Sequence, residues 1–235
     1  MQDFSNAFGL AASLIFSADA DLIEIIALSL RVSVSAVVLA ALIGFPLGAL
    51  TAVAHFPGRQ TLTVTLNALM GLPPVVVGLL VYMALSRAGP LGWMGLLYSP
   101  TAMIIAQTIL VAPIIAALSR QVIEDIHKEY DEQFRSLCIP AHRVMTALIW
   151  DSRYSLLTVM LAGFGRAIAE VGAVIIVGGN IDHLTRVMTT AIALETSKGD
   201  LALALALGFV LLILALSVNA AVYSLRASAR RLSYA

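Results

Sequence analysis

The sequence predicts an all-α transmembrane protein with five spans. Three observations carry that prediction: a very apolar composition, five apolar stretches of spanning length, and an uneven distribution of positive charge. Of 235 residues, 60% are hydrophobic and 12% charged, and the mean hydropathy is +0.95. Soluble domains carry about 25% charged and about 45–50% apolar residues. A water-soluble fold cannot hide such a surplus, because much of any folded surface stays in contact with solvent. Lipid is the solvent this composition calls for. The net charge is zero with a pI near 6.9, so nothing points to a nucleic-acid partner. The single cysteine, Cys138, cannot close an intrachain disulfide. No Lys or Arg precedes Arg31, so the positive n-region of a cleavable signal peptide is missing.

A helix needs about 20 mostly apolar residues to cross the hydrocarbon layer. Residues 25–53, 62–85, 101–118, 154–177 and 201–225 qualify. The run 7–16 is too short to span, and Asp19, Asp21 and Glu24 follow it, so 1–24 is expected to be an interfacial segment. Five spans put the termini on opposite sides, and positive charge marks the cytoplasmic side. With the C-terminus inside, the inner segments hold Arg59, Arg120, Lys128, Arg135, Arg143, Arg153, Arg226, Arg230 and Arg231. The outer ones hold only Arg87, Arg186 and Lys198. The expected orientation is therefore N-terminus outside and C-terminus cytoplasmic, in the inner membrane of a prokaryotic cell.

The spans are punctuated by Pro46, by Pro73–Pro74 and by Pro113, with Gly71 and Gly78 nearby. Proline removes a backbone donor and kinks a helix. Gly165, Ala169 and Ala173 recur every four residues, which on a continuous fourth span would form a stripe of small residues. No internal repeat or linker divides the chain, so one transmembrane domain over 1–235 is expected.

Several chemistries are missing. The sequence has no G-x-x-x-x-G-K-[ST] loop to cradle phosphates, no H-E-x-x-H, and no G-x-S-x-G elbow around Ser136, His142 or Asp151. No catalytic residue, no metal site and no cofactor of its own are expected, and the pairs Asp182–His183 and Glu124–His127 read as solvated.

The segment 120–153 is the informative loop. Ile123, Ile126, Tyr130, Phe134 and Leu137 are spaced by three and four, so the third span should continue into the cytoplasm as an amphipathic helix. Its other face carries Glu124, Asp125, Lys128, Asp131 and Arg135. The pattern breaks at Cys138-Ile139-Pro140, and Pro140 is placed to open a second helix with Val144, Met145, Leu148 and Ile149 as its apolar stripe. A helix–turn–helix with one apolar and one charged face suits docking; its plainer alternative is a loop packed on its own bundle.

Glu132-Gln133-Phe134-Arg135-Ser136-Leu137-Cys138 resembles the E-A-A-x-x-x-G signature of type I ABC importer permeases. Glu132 matches the acidic residue and Ser136–Leu137 the frequent Ser-Leu. Gln133 and Phe134 replace the two alanines, Cys138 replaces the glycine, and Leu148-Ile149-Trp150-Asp151 stands where I-x-L-P is usual. The resemblance implies that Glu132 to Cys138, with Ile139, Pro140, Ala141, His142 and Arg143, form the coupling segment that docks on a separate ATPase. Leu72–Leu80, Ser86–Gly92, Gly163–Ala173, Gly178–Ile181 and Met188–Thr196 are similar to the oxyanion branch of that superfamily, most of all to tungstate permeases, with molybdate permeases next. The resemblance covers nearly the whole chain. It implies a homodimer in membrane lipid, two ATPase subunits that bind the ATP and magnesium, an extracytoplasmic oxyanion-binding protein, and alternating access.

Arg166 and Glu170 stand four residues apart, and on one helix they would share a face and pair. Intramembrane charge is expensive, at about 2.5–3.5 kcal/mol on insertion scales. Two readings stay open: with Pro73 and Pro74 they line the translocation path, or the pair ties the fourth span to a neighbour. Cargo also stays open among tungstate, molybdate and other oxyanions. A stand-alone secondary transporter would need inverted repeats and coupling-ion residues, and would leave the docking loop unexplained.

Overall fold

The computed structural model of the chain describes residue 13 and residues 20–233. Apart from Ser13, the interfacial run expected over 7–16 lies outside the described residues. The helices are α1 (Ala20–Val53), α2 (Arg59–Leu69), α3 (Pro74–Leu85), α4 (Pro100–Ser136), α5 (Ala141–Asp151), α6 (Arg153–Ile168), α7 (Gly172–Gly178), α8 (Met188–Lys198) and α9 (Leu201–Ser233), with a single 3-10 turn at Gly92–Met94. No strand occurs among the described residues.

Three helices are long and apolar enough to cross a membrane: α1, α4 and the Leu201–Val218 part of α9. The number rises to five when α2 with α3, and α6 with α7, are each taken as one bent span. The second and fourth expected spans are thus broken rather than continuous. Proline chemistry explains the first break. Pro73 caps α3 in an extended conformation (ψ 121°) and Pro74 occupies its first turn, where the missing N–H costs nothing. Pro46 and Pro113, by contrast, lie inside α1 and α4, which continue through them.

The second break corrects two expectations. Because α6 stops at Ile168, Glu170 lies beyond its end, so Arg166 and Glu170 do not stand on one continuous helix. Nor do Gly165, Ala169 and Ala173 form one stripe. The close approach made by small residues lies elsewhere: a Cβ on Gly78 of α3 would stand 2.8 Å from the Ala173 Cα of α7.

By contact density the chain forms two compact units. Among the described residues, one holds 20–35, Pro73–Gln107 and Ala167–Val218; the other holds Ala36–Leu72, Thr108–Arg166 and 219–233. In the second unit α1 and α4 meet through Gly44 and Gly48, four residues apart. A Cβ on Gly48 would fall 2.2 Å from Ser119 Oγ, and Ser119 donates a hydrogen bond to the Gly44 carbonyl at 3.3 Å. Small residues there let two helix backbones approach, as membrane interiors favour.

Candidate functional site

The cytoplasmic-loop candidate belongs wholly to the second unit. As the apolar spacing requires, α4 runs from the apolar segment through Ser136, so Glu132, Gln133, Phe134, Arg135 and Ser136 are its last turn and a half. The helix then ends in a Schellman motif. Ile139 N–H donates to the Phe134 carbonyl and Cys138 N–H to the Arg135 carbonyl, both at 3.1 Å. That motif needs a left-handed residue, and Cys138 supplies it at φ 50°. This is the position where the resemblance places glycine, and the turn forms with a side chain the left-handed region disfavours. Pro140 caps α5, and Ala141, His142 and Arg143 open it.

Both apolar stripes turn inward except at Leu137, which lies past the end of α4 and is exposed. Ile123 of α4, Val144 and Leu148 of α5, and Leu156 of α6 are buried against Ala49, Ala52 and Val53 of α1, with Ile126, Tyr130, Phe134 and Ile139 packed around them. The stripes therefore fix the two helices to their own unit and are not themselves a free docking face. What remains outward is the rest of the segment: all of Glu132–Arg143 except the half-buried Phe134 and Ile139 is exposed. Leu137 is 70% exposed and Trp150 71%, large apolar groups left open beside a polar surface. Arg153 fixes Trp150, its guanidinium 5.2 Å from the indole centroid and 4.7 Å from that of Tyr154. Asp131 and Arg135 form a bidentate pair at 2.9 and 3.0 Å just before the turn.

The first unit carries a buried polar lattice. Glu170, 4% exposed, accepts a hydrogen bond at Oε1 from Ala173 N–H, so its carboxylate caps the start of α7, and its own carbonyl accepts from Thr189 Oγ1 at 2.8 Å. Further along, Thr190 Oγ1 bonds Asn180 Oδ1 at 2.8 Å and accepts from Val187 N–H at 3.1 Å, while Thr185 Oγ1 donates to the Gly178 carbonyl at 2.6 Å. Met188 N–H donates to Ser29 Oγ of α1 at 2.8 Å. Beside these groups a cavity of about 10 Å³, room for one water, is lined by Ser29, Ser33, Gln107, Glu170 and Thr189. Gln107 Nε2 donates to the Ala167 carbonyl at 3.0 Å, and its Oε1 has no protein partner. The chamber is acceptor-rich and far too small for a tetrahedral oxyanion.

Of the four path candidates, Pro73 is exposed, Pro74 and Arg166 are half-buried, and Glu170 is buried. Glu170 keeps α7 in place. A carboxylate three residues before a helix-entry amide is a visible capping signal, but only once the helix break is known.

The loop after α7 holds a cluster that sequence reasoning passed over. His183 Nδ1 lies 2.8 Å from Glu24 Oε2, and donor atoms of Asp21, Glu24 and His183 all fall within 4.8 Å of one another, all exposed. Asp182, exposed like His183, meets Arg186 at 2.8 Å. The hydrogen bond to Glu24, then its charge, pushes the His183 imidazole above the ordinary value of 6.5. Sequence separation of 159 residues hid the contact.

Residues 44–231 match the family described as binding-protein-dependent transport system inner membrane component. The chain is 41% identical to the tungstate uptake system permease protein TupB of Peptoclostridium acidaminophilum, over 96% of this chain and 99% of that one. It is 40% identical to a probable anion ABC transporter permease protein of Haloferax volcanii, over 85% and 88% of the two chains. With TupB of Campylobacter jejuni it shares 38% identity over 94% of this chain and 92% of that one. The chain therefore belongs to the family of binding-protein-dependent transport system inner membrane components.

Proposed function

We propose that this chain is the permease subunit of an ATP-driven importer of a tetrahedral oxyanion, tungstate first among them. The observation that carries the reading is the near full-length likeness to permeases named for tungstate uptake. As a member of its family the chain is a multi-pass inner-membrane transport subunit. Two copies form the path, because five helices enclose only half of one. Five spans with the N-terminus outside are the reading that the uneven distribution of positive charge supports.

Two ATPase subunits, which carry the ATP and magnesium, dock on Glu132–Arg143, and an extracytoplasmic binding protein delivers the anion. Closure of the ATPases draws the two docking segments together and rotates the spans outward; hydrolysis resets them. Three features support docking at this segment: its exposure, the open Leu137 and Trp150 side chains, and the α5 stripe that anchors it to α1 so that a push on the turn reaches a membrane helix. Arg166 is the path candidate, with Glu170 assigned to capping.

Affinity purification followed by native mass spectrometry tests the class. The expected mass is two permeases with two nucleotide-binding subunits, and a permease that purifies alone under gentle extraction overturns the reading. Competition by tungstate, molybdate and sulfate on the co-purified binding protein then orders the cargo. Glu132→Lys and Ile139→Asp should abolish ATPase retention, and transport that survives both substitutions removes the docking assignment. Arg166→Ala should lower uptake at equal expression; unchanged uptake takes Arg166 off the path.

A further inference from the structure

The second unit contains an open groove of about 260 Å³ that shares only Arg135 with the docking segment and nothing with the path candidates. It lies between the end of α1 with its following link and the charged face of α4, with His55 and Arg59 on one wall and His127, Lys128 and Arg135 on the other. Two carboxylates, Glu124 and Asp131, also line it, and both are already engaged. Arg120 holds Glu124 from outside the groove, with Lys128 at 3.8 Å from its second oxygen; Arg135 holds Asp131 through two hydrogen bonds. Arg59 gives Nε to the Thr51 carbonyl at 2.7 Å and Nη2 to the Ala52 carbonyl at 3.0 Å, which ends α1 but leaves the guanidinium charge unneutralised by those oxygens. Three full positive charges line the groove, those of Arg59, Lys128 and Arg135, against two carboxylates that Arg120 from outside and His127, 3.9 Å from Asp131, also engage. The donors left over point to an anionic occupant.

The position narrows its chemistry. α1 loses its apolar character after Val53 and α4 after Leu118; the α1 wall at His55 and Arg59 follows that boundary within six residues, while the α4 wall starts at Glu124, six residues beyond it, and runs on to Arg135. The near end is therefore within reach of phosphate headgroups, and the far end is open to small anions in solution. A volume of this size admits a phosphate group with room for its ester or its water.

We infer that the groove between the α1–α2 link and the charged face of α4 is a binding site for a phosphate-class tetrahedral oxyanion, presented either by an anionic lipid headgroup or as the free ion. Lys128 and the two histidines supply mobile donors, and Arg59 supplies fixed charge.

The test uses the full-length permease, since neither unit has been shown to fold alone. Delipidated protein in micelles is titrated with inorganic phosphate and with tungstate by calorimetry. In parallel, nanodiscs of phosphatidylcholine with and without phosphatidylglycerol are analysed by native mass spectrometry for retained lipid. Wild type should bind one of these probes, and Lys128→Gln should weaken that binding about tenfold, the loss expected for one charge-assisted contact. His55→Gln should weaken it less. Because Arg59 also ends α1, Arg59→Gln is interpreted only with an unchanged melting temperature. Titratable phosphate or tungstate that Lys128→Gln loses supports the free-ion source; preferential phosphatidylglycerol retention that it loses supports the headgroup source. No binding of either probe, or binding that Lys128→Gln and His55→Gln leave intact, overturns the site.

Discussion

The lattice around Asn180 and Thr190 in one unit and the turn at 132–143 in the other both set polar side chains at helix ends, yet they use them in opposite directions. Thr190 is fully buried and its hydroxyl is bound on two sides. The polar groups of the turn face outward, and the contacts that hold it are apolar ones on its inner side. Buried polar groups that are satisfied specify one arrangement, and each lost partner leaves a costly orphan. Exposed ones cost the fold little when removed, and so are available for a partner.

That contrast is most sharply broken by size. Gly78→Val would drive a Cβ to 2.8 Å from the Ala173 backbone, which cannot rotate away as a side chain could. It should cost about 3 kcal/mol, read as a lowered melting temperature of the purified permease and reduced folded yield. An unchanged melting temperature would mean that α3 and α7 do not pack as described. Thr190→Val keeps the shape and deletes the hydroxyl, so Val187 N–H and Asn180 Oδ1 each lose a partner. About 2 kcal/mol is expected. In the turn, His142→Ala and Arg143→Ala should change stability by less than about 0.5 kcal/mol while weakening ATPase retention. If those two variants melt earlier than Thr190→Val, the inward–outward distinction fails.

The same contrast explains what could be read from sequence. The turn was legible because everything that shapes it is local: apolar spacing of three and four from Ile123 to Phe134, a proline at 140, and a charge pattern on one face. Even the awkward Cys138 announced a left-handed turn through the residue it replaces. What periodicity could not show was that the stripes were already covered by Ala49, Ala52 and Val53 of a helix some 70 residues earlier. The lattice was nearly illegible. Its threonines and asparagine fall between the fourth and fifth expected spans and stand out only through the resemblance of Gly178–Ile181 and Met188–Thr196, and their meaning depends on the break after Ile168 and on contacts such as Ser29 with Met188. Apolar content alone runs the fourth span straight through that break, and so places Arg166 and Glu170 on one helix, where α6 in fact ends at Ile168. Gly44 and Gly48 flank Pro46, and their spacing of four alone does not say that Ser119 of α4 packs against them.

A smaller effect sharpens the comparison from the side of the turn. Cys138 holds a left-handed backbone (φ 50°) while exposed to solvent, so burial of its side chain does little to offset the strain. A left-handed conformation costs a side-chain-bearing residue about 1–2 kcal/mol, and glycine gives back about 0.5–1 kcal/mol of that through its freer unfolded state. Cys138→Gly should therefore raise stability by about 0.5–1 kcal/mol and leave ATPase retention intact. Cys138→Val, with a branched Cβ in the same region, should lower it. Equal melting temperatures for the three would remove the turn from the account of the segment.

The smallest expected effect concerns a polar contact that belongs to neither pattern, the exposed pair of His183 with Glu24. Asp21 and Asp182 add negative charge around the imidazole, and Arg186, held by Asp182, is the nearest positive group on that loop. The hydrogen bond and charge of Glu24 raise the folded-state pKa above 6.5. A raised pKa means that the folded protein binds the proton more tightly than the unfolded chain. The stabilisation is thus complete below about pH 6.5 and is lost as pH climbs through the folded-state value. Wild type should melt above His183→Gln at about pH 6, and the gap should close by about pH 9. Glu24→Gln should close it at every pH, because the carboxylate is the first cause of the shift. A gap that widened with pH would reverse the sign and show that His183 is held neutral, with the loop tied to α1 by something other than this ion pair.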